Sequence, residues 1–105
     1  MEAHNLIIKC DRCIIPDSNN LTEFLHERLE NPKVDYFGGE IDNPIDYVDE
    51  LMVNEINNTT FITFHFDHPV DIDQETALGI IRDAVKDGQI QHHKSDEKDI
   101  EIVLL

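Results

Sequence analysis

The sequence predicts an α+β fold, in which an antiparallel sheet carries two main helices packed on one of its faces. Along the chain, the spacing of apolar residues is in turn that of a strand, a helix, a strand, a short helix, a strand, a helix and a final strand. Such an order favours a layer of helices on one sheet. The chain has 105 residues, the length of a single domain (1–105), and 40% of them are apolar, which suffices for one core.

The first predicted strand covers residues 5–15. Leu6, Ile8 and Cys10 alternate there against polar Lys9 and Asp11, which is the period of a strand with one buried face. The polar run over residues 17–20 then ends the pattern. We therefore expect the first strand to be followed directly by a helix.

The first helix is expected to open at Leu21 and to end before Pro32, because the residue before a proline avoids the helical region. Asn20 is the expected N-cap, and Glu23 is the reciprocal acid of a capping box. Four apolar residues recur at helical spacing and form one stripe: Leu21, Phe24, Leu25 and Leu29.

The middle of the chain is expected to hold a second strand and a second, shorter helix. Residues 33–41 suit a strand that Gly38 and Gly39 interrupt with a bulge or a bend. Asn43 before Pro44 is typical of a helix start. Apolar residues then keep helical spacing at Ile45, Val48, Met52 and Ile56. This pattern predicts a helix over residues 44–56, followed by a turn at 57–58.

The second half of the chain predicts a strand, a helix and a final strand. Residues 59–67 are aromatic and β-branched, and they place Ile62, Phe64 and Phe66 on one face. Asp71 or Asp73 caps the third helix, which stops at Gly88. A polar loop over residues 89–98 leads to an alternating strand over 99–104. The stripe of the third helix consists of Ala77, Ile80, Ile81, Ala84 and Val85.

The net charge excludes several classes of function. Lys and Arg total 8 against 23 for Asp and Glu, so the formal charge is −15. Such a chain is repelled by phosphate backbones and anionic lipids, and we expect no direct binding to nucleic acid or membranes. No apolar run approaches the roughly 20 residues that span a bilayer, and the first residues do not begin a signal peptide. Two cysteines are too few for a secreted disulfide scaffold. We expect a soluble intracellular protein.

Two pairs of residues are candidates for a metal site. Cys10 and Cys13 form a C-x-x-C, and His65 and His68 form an H-x-x-H, which together match the four ligands of zinc. The gap between the pairs is not that of a zinc finger, and cysteine is usually a small buried apolar residue. We therefore predict no metal, with this quartet as the alternative. No nucleophile with its base and no phosphate loop is present, so no catalytic residue, cofactor or small-molecule ligand is predicted.

Several segments share a pattern with one known family. Residues 21–29 reproduce the apolar spacing of a helix that opens with D-H-T-L-G-N in that family. Residues 32–44 keep the length of the following K-V-x-F-A-x-Y-x-x-x-H-P motif, with Val34, Tyr36 and Pro44 in place. Residues 59–66 and 75–78 fit the next strand and helix start. Over residues 5–88 the chain thus resembles the small alpha-like subunits of RNA polymerase, archaeal subunit L and its eukaryotic counterparts.

The chain also departs from that family. Residues 17–23 lack the family's His, Gly and Asn, and Asn43 replaces the usual His before Pro44. Residues 44–56 look like an insertion, and the final strand stands where the family has a longer helix. The resemblance is therefore to a divergent member, and the isoleucine- and asparagine-rich composition fits an AT-rich or viral genome.

The resemblance implies a non-catalytic assembly subunit of a DNA-dependent RNA polymerase, located in the cytoplasm or nucleus. Such subunits pair with a larger alpha-like subunit through their first helices, and the heterodimer is the platform on which the large polymerase subunits assemble. It implies that partner binding involves Leu21, Phe24, Leu25, Leu29, Ile80, Ile81 and Ala84.

Two other functions fit the residues. An acidic inhibitor that imitates DNA phosphates would occupy a nuclease or another nucleic-acid-binding enzyme, which the net charge makes credible. Its row of acids would lie along the predicted middle helix, at Asp42, Asp46, Asp49, Glu50 and Glu55. A protein-binding module of another kind, such as an immunity protein, is the second alternative.

Overall fold

The structure is a computed structural model that describes residues 2–31, 33, 36–37, 44–92 and 97–105. It confirms the α+β class, with one antiparallel four-stranded sheet and two helices of 13 residues each. A short 3₁₀ turn, Glu97–Asp99, precedes the last strand. In chain order the other elements are β1 (Glu2–Cys10), β2 (Cys13–Ile14), α1 (Ser18–Glu30), α2 (Pro44–Tyr47), β3 (Val48–Ile56), β4 (Thr59–Asp71), α3 (Gln74–Lys86), β5 (Gln91–His92) and β6 (Ile100–Leu104).

The main sheet has the strand order β3-β4-β1-β6, and every neighbouring pair in it is antiparallel. The connection from β1 through α1 to β3 skips one strand, and so does the connection from β4 through α3 to β6. This is the split βαβ, or ferredoxin-like, arrangement. Its two crossover helices lie on the same face of the sheet. The opposite face, which we call the open face, has no helix on it among the described elements.

One hydrophobic core fills the space between the sheet and the two helices. Leu6 lies opposite Phe64 and Ile8 lies opposite Ile62, and all four side chains are fully buried. Phe37 packs edge-to-face on Phe64, with ring centroids 6.3 Å apart. The alternation predicted for β1 and β4 is thereby confirmed, because these alternate apolar residues face the helices.

Helix α1 begins earlier than the sequence analysis expected. Asp17 is the N-cap, and its Oδ1 accepts hydrogen bonds from the backbone N–H groups of Asn19 at 2.9 Å and Asn20 at 3.3 Å. Asn20 therefore lies within the first turn, and its assignment as the N-cap was wrong. The carboxylate satisfies two N–H groups that would otherwise lack partners. The predicted end of the helix is confirmed, since Asn31 is its C-cap.

The predicted helix over residues 44–56 was wrong for most of its length. Only Pro44–Tyr47 is helical, and Val48–Ile56 is a strand that pairs with β4. Asn57 and Asn58 have φ values of 51° and 65°, as a tight hairpin turn between two twisted strands requires. The strand predicted over residues 33–41 falls largely outside the described residues. Lys33, Tyr36 and Phe37, which are described, lie in turns.

Helix α3 begins directly after Asp73, which is one of the two predicted N-caps. Asp73 Oδ1 accepts the backbone N–H of Thr76 at 2.9 Å, and this hydrogen bond lowers the pKa of the Asp73 carboxyl. Asp71 instead ends β4. Gly88 follows the helix with a φ of 84°, which a residue with a Cβ rarely adopts. The predicted start and stop of α3 are both confirmed.

Candidate functional site

The residues that the resemblance assigned to partner binding all lie in the core of this chain. Their exposed fractions range from 0% to 9%, and Phe24 is the most exposed. They pack the two helices onto the sheet, and their role in binding a partner stays a prediction. The seven side chains are Leu21, Phe24, Leu25, Leu29, Ile80, Ile81 and Ala84.

The outward side of α1 is polar. Glu23, His26, Glu27 and Glu30 are exposed there, while the apolar stripe faces the sheet. A groove of about 380 Å³ lies along this side, and its lining consists of charged and polar side chains, including Glu27, together with Phe24. A partner that approached α1 from solvent would meet carboxylates rather than the apolar side chains of a helix interface.

The open face of the sheet carries the exposed apolar surface. Ile7 of β1 lies opposite Thr63 of β4 and Val103 of β6, and Thr63 lies opposite Met52 of β3. These four side chains form a row across the whole sheet. Ile7, Thr63 and Val103 are half-buried, while Met52 is 45% exposed.

Three large apolar side chains are strongly exposed among the described residues. They are Met52 at 45%, Ile56 at 60% and Leu105 at 66%. All three lie on the open face. Ile56 follows Met52 by four residues along β3, so both side chains point to the same face, and Leu105 exchanges backbone hydrogen bonds with Asn5 of β1. Single exposed apolar residues are ordinary on protein surfaces. Three on one face, joined by half-buried ones, form a patch of the kind that binds other proteins.

Polar groups around this patch are paired with one another. Lys9 Nζ lies 3.9 Å from Glu101, and Thr59 donates a hydrogen bond to Asp11 at 3.2 Å. These exposed pairs add little stability.

A carboxylate and two histidines form a second cluster on the open face. The pairing of β3 with β4 shifts between Val48 and Glu50, so Asp49 is the extra residue of a bulge and its carboxylate contacts His65 Nδ1. His4 stacks on His65 with ring centroids 6.2 Å apart, and its Nδ1 donates to the Phe66 carbonyl at 3.2 Å. Among the described residues, this cluster brings two imidazoles and one carboxylate together.

The proposed zinc quartet is not brought together. Cys10 and Cys13 are both fully buried and form a disulfide, with their Cα atoms 5.6 Å apart. The chain turns between them at Arg12, whose φ is 60°, which directs both sulfur atoms into the core. The disulfide was not predicted from the sequence, where the two cysteines were considered as zinc ligands or as small buried apolar residues.

The two histidines of the quartet have other partners. His65 contacts Asp49, and His68 lies 2.5 Å from Asp67 and packs on the Tyr47 ring. Cys10 pairs with Thr60, five residues along β4 from His65, which corresponds to about 17 Å. Within the described residues, no cluster of three or more potential ligands could hold a metal ion.

The acidic row expected on a middle helix does not form. Asp42 lies outside the described residues, and Asp46 belongs to the short helix α2. Glu55 points toward the helices, and its Oε2 accepts the backbone N–H of Ile15 at 2.6 Å. Asp49 and Glu50 lie on a strand rather than on successive turns of a helix. The helix that was expected to space these acids like DNA phosphates is therefore absent over residues 48–56, which form a strand.

Tyr36 joins the segment after α1 to both main helices. Its hydroxyl donates to Asp83 Oδ2 at 2.5 Å, and Arg28 Nε lies 3.2 Å from the same oxygen. Burial raises the pKa of the Tyr36 phenol well above its usual value, and the hydrogen bond to Asp83 raises it further. The Tyr36 hydroxyl therefore keeps its proton and connects the segment after α1 to both main helices.

Comparison of the chain with models of protein families, with curated protein sequences and with solved structures finds no match. Among the described residues, no helix has the length and apolar character needed to cross a membrane.

Proposed function

We propose that this protein is a non-catalytic assembly subunit that binds a protein partner through the open face of its sheet. The observation that carries the proposal is the position of Met52, Ile56 and Leu105, the strongly exposed large apolar residues, on that one face. Their exposure to water is unfavourable, and a partner that covers them gains about 25 cal/mol for each Å² of apolar surface removed. An apolar centre with a polar rim is the usual anatomy of a protein interface.

The resemblance found in the sequence supplies the identity of the partner. Under this proposal the partner is the larger alpha-like subunit of a DNA-dependent RNA polymerase, and the large polymerase subunits join the resulting pair inside the cell. The contact differs from the one that the resemblance implies. The apolar residues of α1 are engaged in the core of this chain, whereas the open face has apolar side chains to offer.

Affinity purification of the full-length tagged chain from its source cells tests this proposal. The open-face variant combines Met52→Gln with Ile56→Thr, which removes apolar surface and keeps the charge. The helix-face variant combines Glu23→Gln with Glu27→Gln on the outward side of α1. We expect the open-face variant to lose the polymerase subunits by about tenfold or more, since two buried apolar contacts together contribute at least 1.4 kcal/mol. The helix-face variant should recover them as the unchanged chain does.

Each alternative gives a different result. Loss of the partner in the helix-face variant alone would show that α1 forms the contact, as in the family that the sequence resembles. Recovery of a single basic nuclease, in a complex that weakens steeply with salt, would support the DNA-mimic function instead. An apolar open-face interface should respond little to salt. Circular dichroism of both variants verifies that the fold is retained.

A further inference from the structure

We propose that the outer edge of β3 is a second binding site, at which an extended, positively charged segment of a protein partner is added to the sheet as a fifth strand. The site uses the outward backbone of β3 and the carboxylates along this strand, and not the apolar side chains of the open face. It therefore goes beyond the proposed function and does not depend on it.

The backbone of β3 presents a regular row of hydrogen-bonding groups at this edge. β3 has nine residues and pairs with β4 on one side, and no described strand pairs with its other side. Ile56 and Thr59 close the two-residue turn as a hydrogen-bonded pair, and the pairs of an antiparallel ladder alternate. Leu51, Val53 and Glu55 thus direct their N–H and C=O groups away from β4.

The edge is long and mostly regular, and its protection against pairing comes from charge more than from shape. Natural edge strands are protected by lysine and other charged side chains, proline, bulges, inward-pointing charges or short length. β3 contains neither lysine nor proline, and its one irregularity lies near its start, between Val48 and Glu50. The opposite edge of the sheet, β6, has five residues only. Six regular residues of β3, 51–56, remain for a partner strand.

A groove beside this edge provides a place for side chains of the added strand. The groove has a volume of about 460 Å³ and lies between β3 and the segment that leads into α1. Ile15, Pro16 and Val53 supply its apolar lining, and Asp17 and Glu55 supply carboxylates. A strand placed beyond β3 projects every second side chain toward the helix-covered side, where the groove lies.

The charges of the edge select a basic occupant. β3 carries Asp49, Glu50 and Glu55 and no basic residue, in a chain of net charge −15. A second copy of β3 paired antiparallel would bring carboxylates of the two chains together, which is unfavourable. Lysine or arginine in the added strand would instead face carboxylates on both sides of the sheet. This is strand addition of the kind that many peptide-binding domains use.

Synthetic peptides test the site on the full-length protein. The probe is a nine-residue peptide of alternating valine and lysine. One matched peptide replaces lysine with glutamate, and another carries N-methyl groups that block hydrogen bonding. Amide hydrogen exchange, followed by NMR, should slow by about tenfold or more at Leu51, Val53 and Glu55 with the lysine peptide alone. Absence of this protection, or equal protection by the glutamate or N-methyl peptide, overturns the proposal.

Charge variants provide the second arm of the test. Glu50→Gln combined with Glu55→Gln removes two charges at the edge. The side-chain carbonyl that Glu55→Gln introduces still accepts a hydrogen bond from the Ile15 N–H. Glu50 and Glu55 lie on opposite faces of β3, and the lysines of the peptide lie on one face, so one exposed ion pair is lost. Peptide affinity should therefore fall by about twofold. The helix-face variant, which removes two charges elsewhere, should bind as the unchanged chain does. Equal loss in both variants overturns the assignment to β3.

Two further measurements separate this site from other outcomes. The open-face variant should bind the lysine peptide as the unchanged chain does, since the backbone groups of Met52 and Ile56 are directed toward β4. The site at the edge and the proposed function can therefore be refuted independently of each other. Sedimentation of the protein without peptide should show no self-association through β3. A dimer that protects the amides of Leu51 and Val53 would identify a second copy as the occupant and overturn the proposal.

Discussion

Replacement of Tyr36 by phenylalanine tests how the segment after α1 is held in place. The substitution removes one hydroxyl and keeps the ring. In the native structure this hydroxyl donates to Asp83 on α3 at 2.5 Å, and Arg28 of α1 contacts the same carboxylate at 3.2 Å. A short connecting segment is thereby tied to both main helices through one charged acceptor.

The expected loss follows from the chemistry of this hydrogen bond. Bonds to charged groups contribute about 1.5–3 kcal/mol to stability. Asp83 keeps its contact with Arg28 in the variant, and its side chain is 25% exposed, so water can replace the hydroxyl in part. We therefore expect the lower value, about 1.5 kcal/mol. For a chain of this length, that loss lowers Tm by about 7 °C.

Thermal unfolding followed by circular dichroism measures the effect, and the second tyrosine supplies the control. The chain has two tyrosines, and Tyr47 uses its ring to pack on His68. Tyr47→Phe should leave Tm within about 2 °C of the unchanged protein, as is usual for surface substitutions. A loss in Tyr36→Phe no larger than in Tyr47→Phe would refute the anchoring role.

The raised pKa of Tyr36 adds a dependence on pH. Because the folded chain holds the phenol proton to a higher pH than the unfolded chain, its stabilising contribution is complete below about pH 10 and is lost as the pH rises further. The unchanged protein should therefore lose stability more steeply above pH 10 than Tyr36→Phe does. In Tyr47→Phe, ultraviolet absorbance reports Tyr36 alone, and its ionisation should coincide with alkaline unfolding. Ionisation of Tyr36 near pH 10 in the folded protein would contradict its burial.

Three further predictions concern elements that fix the fold. Asp17→Ala removes the cap of α1 and should lower the unfolding free energy by about 1 kcal/mol, measured from the urea midpoint. Asn58→Val places a β-branched residue at a φ of 65° and should cost about 1–2 kcal/mol, whereas Asn58→Gly should not destabilise. Reduction of the buried disulfide opens a loop of four residues and should cost about 2 kcal/mol, and alkylation should detect no free thiol before reduction.

The sequence was informative where one face of an element is buried and the other is exposed. In α1, α3 and β4 the period of apolar residues coincides with burial, so both the elements and the core could be predicted. The start of α1 could not be located from apolar residues alone. Their stripe marks the buried face, whereas the helix begins at the carboxylate that satisfies its first N–H groups, which here is Asp17.

The sequence misled where a strand has apolar residues on both faces. Met52 and Ile56 are four residues apart, and a spacing of four places residues on one face of a strand and also near one face of a helix. Val48 continues this spacing in the sequence, although the bulge at Asp49 turns its side chain to the core face. Leu51 and Val53 face the core of the folded chain. The partner of this strand is β4, which lies across a two-asparagine turn, so tertiary pairing decided its conformation.

The apolar patch on the open face could not be predicted from the sequence, for the same physical reason. A strand that needed only to cover the core would alternate between apolar and polar residues, and its period would be evident. β3 departs from this alternation because Met52 and Ile56 are apolar on the open face, beyond what the core requires. The property that made β3 resemble a helix in the sequence is therefore the property that places exposed apolar side chains on the open face. A single strand then carries both proposed surfaces: its open-face side chains form one, and its outward backbone at Val53 and Glu55 forms the other.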